Sequence, residues 1–213
     1  MFQKSHLFPF CVATAMPRVS RDQAEANRVR VAQTAAKMYR EGGIERTSVA
    51  GIMEQAGMTI GAFHRQFGSK DALAVEACEY AFTEIVLAWQ RQIHEGGASQ
   101  RSFAQLTEAY LSPQHRDDRG SGCAASALAG DIMHEPPRGA LRRAFIAGIH
   151  QFAGVLGDLL PDSLSKKKRQ QRALAVYATL VGAIVIARAT SEDPISEDIL
   201  SAATEAVKLL RNA

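Results

Sequence analysis

The sequence predicts an all-α chain of about nine helices. Three observations predict it. From about Ala24 onward, apolar residues recur at spacings of three and four, and the alternation of a half-buried strand is absent. β-Branched residues occur only in short runs. Glycine or proline interrupts the periodicity at Gly42-Gly43, Gly57, Gly68, Gly96-Gly97, Pro113, Gly120/Gly122, Pro136-Pro137, Pro161 and Pro194, so each periodic stretch has its own stop. With 213 residues, 46% hydrophobic and 22% charged, the chain can bury a core without covalent staples. Three cysteines exclude a disulfide framework and fit a reducing compartment, read here as the cytoplasm.

Residues 1–20 are expected to stand apart as a disordered or mis-assigned leader. The stretch MFQKSHLFPFCVATA is mixed, aromatic and aperiodic. Its apolar run is short and broken by Pro9, which argues against a secretory signal despite Lys4 and Ala13-Thr14-Ala15. Met16 followed by PRVSRDQAEANR reads as a normal start before a helix.

The first helix places Val31, Ala35 and Met38/Tyr39 on one stripe and Arg30, Lys37 and Arg40 on the opposite, solvated face. Gly42-Gly43 ends it. A short second helix follows Thr47-Ser48, natural N-caps, and turns Val49, Ile52, Met53 and Ala56 inward. Gly57 makes a tight turn. Thr59 is placed to cap a third short helix that contains Phe63 and ends near Phe67. Gly68 breaks it, and Ser69 is placed to cap a long fourth helix whose Asp71 suits the helix dipole. That helix runs to about His94, with Leu73, Ala77, Ala81, Ile85, Ala88 and Trp89 on its buried side. Further helices are expected at about 101–112, 123–134, 137–160, 166–190 and 195–211.

The run Ala173–Ala187 is apolar on every side except for Tyr177 and Thr179. It is shorter than the ~20 residues that cross a bilayer, so no membrane is expected. A helix apolar all round must be covered all round. The expected cover is a second copy, with a homodimer formed through helices near 166–190 and 195–211; the alternative is a central helix within one chain.

The net charge of +3 is uneven. Residues 1–75 carry ten basic and six acidic side chains, and the rest of the chain carries fifteen and sixteen. The positive surplus therefore lies beside the three short helices, which suits a polyanionic partner. Two short helices joined at Gly57, with small Ala56 at their contact, have the length and spacing of a helix-turn-helix reader that enters a major groove about 12 Å wide. This divides the chain at 21–70, a helix-turn-helix DNA-binding domain, and 71–213, a helical dimerisation domain.

Residues 47–73, TSVAGIMEQAGMTIGAFHRQFGSKDAL, closely resemble the tetracycline-repressor (TetR) family of bacterial regulators. The matches are Thr47, Ile52, Ala56, Gly57, Thr59, Gly61, Phe67, Ser69, Lys70 and Leu73. Residues 110–131, YLSPQHRDDRGSGCAASALAGD, resemble one subgroup in which Gly-Cys opens a ligand-domain helix. The chain departs from the family at His64, where tyrosine is usual, at Met53, where alanine is usual, and at Ile60, an outward position often polar in relatives.

The resemblance implies a DNA-binding, ligand-responsive regulator, read as a repressor of a palindromic operator. It implies that Thr47 and Ser48 meet a phosphate at the start of the second helix. Thr59, Ile60, Gly61 and Ala62 lead the third helix to base edges, and His64, Arg65 and Lys70 hold the backbone. Phe63 and Phe67 read as core, and Arg28, Arg30 and Arg40 as a solvated face. The resemblance also implies a small-molecule effector, and hence a ligand-binding role, in the second domain, 71–213. Its candidate residues are Phe82, Trp89, Phe103, Tyr110, Cys123, Met133, Phe145, His150, Phe152 and Tyr177. Cys123, at a helix start, also raises an alternative, a redox- or electrophile-sensing regulator of the same fold. Cys78 reads as packing. His115 and His134 read as surface or capped histidines, and the run Lys166–Arg169 as a solvated helix start.

No enzyme signature is present: HExxH, GxSxG, a Walker loop and a glycine-rich strand-to-helix turn are all missing. No cofactor is expected. Asp131 and His134 share a helix face but lack a third ligand, so no metal site is expected. The reading from another class is a helical interaction module that binds no DNA. Such a module would not need Gly57, Thr59, Ser69 and Lys70 together.

Overall fold

The computed structural model describes residues 21–96 and 99–212. The expected leader at 1–20, with Cys11, and Gly97 of the expected helix stop lie outside the described residues. Among the described residues all regular structure is helical, in ten helices: α1 (Arg21–Gly42), α2 (Val49–Gln55), α3 (Ile60–Gln66), α4 (Lys70–Gly96), α5 (Gln100–Tyr110), α6 (Pro113–Asp117), α7 (Ala124–Met133), α8 (Ala140–Asp158), α9 (Lys166–Ala189) and α10 (Ile195–Asn212). The helix beyond the expected nine is α6. Pro113 does not merely break the chain there but opens a short helix, which Ser112 caps by accepting from the His115 N–H. The helix expected from 137 begins at Ala140, because the Gly139 N–H returns to the Pro136 carbonyl and closes a turn first.

α4 is the spine, with α1 packed along one part of it and α8 along another. α9 lies on α8, and α10 on α9. The α1–α4 seam is crossed by polar pairs. Arg28 Nε donates to Glu76 at 2.9 Å, Gln33 donates to the Tyr80 hydroxyl at 2.9 Å, and both terminal nitrogens of Arg40 donate to Glu84 at 3.1 Å. These contacts correct the reading of α1. Arg40 is not on a solvated face but 6% exposed, because α4 offers Glu84 opposite it. Arg28 also donates to the Gln66 carbonyl at the end of α3 and lies 4.8 Å from the centre of the Phe67 ring. One side chain thus ties α1, α3 and α4 together.

α8 approaches α4 closely at Gly148. A β-carbon there would stand 2.2 Å from the Phe82 ring of α4. The crossing therefore requires glycine, although glycine costs about 1 kcal/mol in a helix interior.

α9 is long and apolar enough to cross a membrane by length and composition, alone in this among the described residues. Its inner side is packed in this chain through Val176, Tyr177, Leu180, Ile184 and Ala187. Its first turns carry Lys166, Lys167, Lys168 and Arg169. Its outer side is bare: Leu174 is 40% exposed, Val185 43% and Ile186 52%.

Candidate functional site

The reader begins where α1 stops. Gly43 has φ +83°, a left-handed conformation that favours glycine, and its N–H bonds the Tyr39 carbonyl. Thr47 is buried, and its hydroxyl donates to the Gly43 carbonyl at 2.7 Å. Ser48 is exposed and caps α2 by accepting from the Gly51 N–H at 3.0 Å. Of the two hydroxyls expected at this helix start, one therefore holds the turn and the other holds the helix.

Gly57, φ +70°, turns the chain into α3. Thr59 occupies the N-cap position, yet its side chain makes no capping bond. Phe63 is 3% exposed and stacks on Phe67 at 5.9 Å, which fixes the inner face of α3. The outer face then carries exposed Thr59, Ile60, Gly61, His64 and Arg65, with Ala62 half-buried. Lys70 opens α4, and its Nζ lies 3.2 Å from the Glu45 carbonyl. The expected DNA contacts lie together at the starts of α2 and α4 and along α3, and all are exposed or half-buried except Thr47, which is buried. Such a surface can donate to phosphates from Arg65 and Lys70 while placing a hydroxyl and an aliphatic side chain at its leading edge.

The ligand candidates do not form one site. Trp89, Tyr110, Phe152 and Tyr177 are a continuous aromatic cluster, with ring centres 4.7 to 6.5 Å apart. Phe82 meets Phe145 edge-on at 5.5 Å. Phe103 lies apart, under the Arg211 guanidinium at 5.6 Å. Phe145 and Tyr177 line a cleft of about 290 Å³ between α7, α8 and α9, walled also by Ala125, Ala129, Ile149 and Val181. His150 is exposed on the rim of a separate groove between α8 and α9. Met133, the last residue of α7, is 71% exposed and stands apart from the other candidates.

Cys123 sits against the aromatic cluster. It is 2% exposed and occupies the N-cap position of α7. Burial raises the Tyr110 hydroxyl well above its ordinary pKa, and the neighbouring Cys123 thiol adds to this. Tyr177 is raised by the same two causes. Burial lifts the Cys78 thiol, deep in α4, to about 12.

Two residues here carry more than the sequence suggested. His115 bonds the Tyr110 carbonyl through Nδ1 and accepts the Cys123 N–H at Nε2, 3.2 Å away. Arg188 donates to the Arg116 carbonyl, the Ser126 hydroxyl and the His115 carbonyl at 2.9, 2.9 and 3.2 Å. His115 acts on backbone groups five and eight residues away, whereas the groups that Arg188 holds are 62 to 73 residues away, which leaves no motif to read for it. Among the described residues, no three His, Cys, Asp or Glu side chains converge to hold a metal.

Burial lowers the His115 pKa, partly opposed by its bond to the Tyr110 carbonyl and helped by Arg188. A lowered histidine pKa makes the unfolded chain bind the proton first. Stability is therefore full above about pH 6.5 and is lost as pH falls below it. The melting temperature is expected to drop between about pH 7.5 and about pH 5.5, and His115→Gln to flatten that drop. Equal pH slopes for the two proteins would remove His115 from this role.

Residues 32–77 match the family model for bacterial regulatory proteins of the tetR family. The curated proteins give no match. Solved structures share the fold over most of the chain. E. coli NemR in its reduced form superposes with a TM-score of 0.68 at 20% identity, over 86% of this chain and 96% of that one. A TetR-family regulator from Cytophaga hutchinsonii gives 0.71 at 17%, over 89% and 95%. A TetR regulator from Legionella pneumophila gives 0.71 at 15%, over 91% and 98%. The reader thus matches the model of the tetR family of bacterial regulatory proteins over residues 32–77, and the chain shares its fold with solved regulators named as members of that family.

Proposed function

We propose that the protein is a cytoplasmic, dimeric repressor that releases a palindromic operator when a small molecule binds its C-terminal domain. The observation that carries the reading is α3. Phe63 and Phe67 anchor it inward, and Thr59, Ile60, Gly61, His64 and Arg65 face out from a domain that the family model matches. In this reading Thr59, Ile60, Gly61 and Ala62 approach base edges, and Ser48, His64, Arg65 and Lys70 hold phosphates. The bare outer side of α9, with Leu209 of α10 at 72% exposed, supports a second copy as its cover. Two α3 helices then enter successive major grooves about 34–36 Å apart.

The cleft beside Phe145 and Tyr177 is the reading's effector site. A ligand there acts only through a difference in affinity between two conformations. The thiol-sensing alternative has less support, because Cys123 is 2% exposed and a reagent reaches it only after α7 moves.

Selection of bound fragments from genomic DNA by the purified protein tests the reading. An enriched palindrome supports it; no enrichment favours the helical interaction module. On the recovered operator, Lys70→Ala is expected to weaken binding to all sequences and to reduce the salt slope by about one. An unchanged slope removes Lys70 from the phosphate contacts.

A further inference from the structure

Asp131, a residue with no metal partners to serve, reaches across the molecule. It lies near the end of α7, and its Oδ2 accepts the Ile44 N–H at 2.9 Å. Ile44 is the second residue beyond α1, in the turn that leads to α2. The approach is close, since a β-carbon on Gly43 would stand 3.4 Å from Oδ2 and 3.6 Å from Oδ1. From this point the turn is internally bonded. The Thr47 N–H bonds the Ile44 carbonyl, the Thr47 hydroxyl bonds the Gly43 carbonyl, and Ser48 caps α2 next. The preceding loop grips α1 as well: a β-carbon on Gly120 would stand 2.5 Å from Glu41 and 3.0 Å from Lys37.

We propose that Asp131 is a positioning residue for DNA reading. Its carboxylate fixes the turn from which α2 and α3 hang, so α7 adds a second hold on their placement beside that of α4. The inference rests on the DNA-binding reading above. The bond joins a carboxylate to a backbone N–H in the turn after α1, and such charge-assisted bonds are stronger than neutral ones. Cys123, the N-cap of α7, is eight residues and about 12 Å of helix away. The aromatic cluster and the reader are therefore the two ends of one short rod.

The test uses the full chain and the operator recovered by selection. Asp131→Ala is expected to speed hydrogen exchange of the Ile44 amide and to weaken operator binding about tenfold. Non-specific DNA binding at the same salt should change less, because phosphate contacts need no fixed register. Asp131→Asn keeps an acceptor at the same place and should restore both properties. Asp131→Glu moves the acceptor by one methylene and should lose affinity while keeping the charge, which keeps the proposal testable if the alanine variant does not fold. The proposal is overturned if Asp131→Ala binds operator like the wild type. It is equally overturned if operator and non-specific affinity fall together and asparagine rescues neither. A wild-type protein that binds no DNA overturns the parent reading itself.

Discussion

Gly148→Leu is expected to cost about 3 kcal/mol of folding stability, at the upper end for an overpacked core. The β-carbon alone would lie 2.2 Å from the Phe82 ring, and three more carbons follow it. Phe82 is 1% exposed and already pressed edge-on against Phe145, so its ring has nowhere to retreat. The gain in helix propensity over glycine returns only about 1 kcal/mol. A loss of 3 kcal/mol is a large share of the 5–15 kcal/mol that typically holds a domain folded. Urea unfolding measures it. The same geometry predicts a compensation. Phe82→Ala alone should cost about 3–5 kcal/mol through the cavity it leaves. In the double variant the leucine enters that cavity, so the two costs should add to much less than their sum. A Gly148→Leu protein that unfolds at the wild-type urea concentration would show that α4 and α8 do not cross as described.

Val185→Glu is expected to give a folded monomer with operator affinity lowered at least a hundredfold. Val185 is 43% exposed within one chain, so a carboxylate there stays hydrated and folding is spared. In a dimer covered along α9, the same carboxylate is buried against apolar Leu174, Ala178 and Val181 without a partner. Losing the dimer separates two half-site contacts that had acted as one binding event, and the tethering gain of roughly 10²–10⁴ goes with it. Sedimentation at micromolar concentration reads the assembly, and operator titration reads the affinity. A Val185→Glu dimer with wild-type affinity would place the interface elsewhere.

Most of the helical order was legible from the sequence, because core stripes and chain breaks are local signals. Val31 and Ala35, Ile52 and Met53, and Leu73, Ala77 and Ala81 are all buried as their spacing predicts. Ser48 and Ser69 cap the helices they precede. The reader's outward face was legible for the same reason, since fixing Phe63 inward fixes its neighbours outward. What stayed hidden depends on contacts between distant residues. Arg40 sits on the polar side of its own helix and is buried only because Glu84 arrives from another. Met133 belongs by composition to a core and is exposed although its neighbour Ile132 is buried, because no distant element packs over that side of the end of α7. Tyr110, Cys123 and Tyr177 meet across three helices, and Asp131 meets Ile44 across 87 positions. None of these has a short-range pattern.

The bonds across the α1–α4 seam also set the smallest piece of this protein that could be moved. A cut at residue 70 keeps every residue expected to touch DNA but severs Arg28 from Glu76, Gln33 from Tyr80 and Arg40 from Glu84. The reading head borrows its stiffness from the first four turns of a helix that belongs to the body. A graft onto another sensor must therefore carry the chain through Glu84, and splice into a helix rather than a loop.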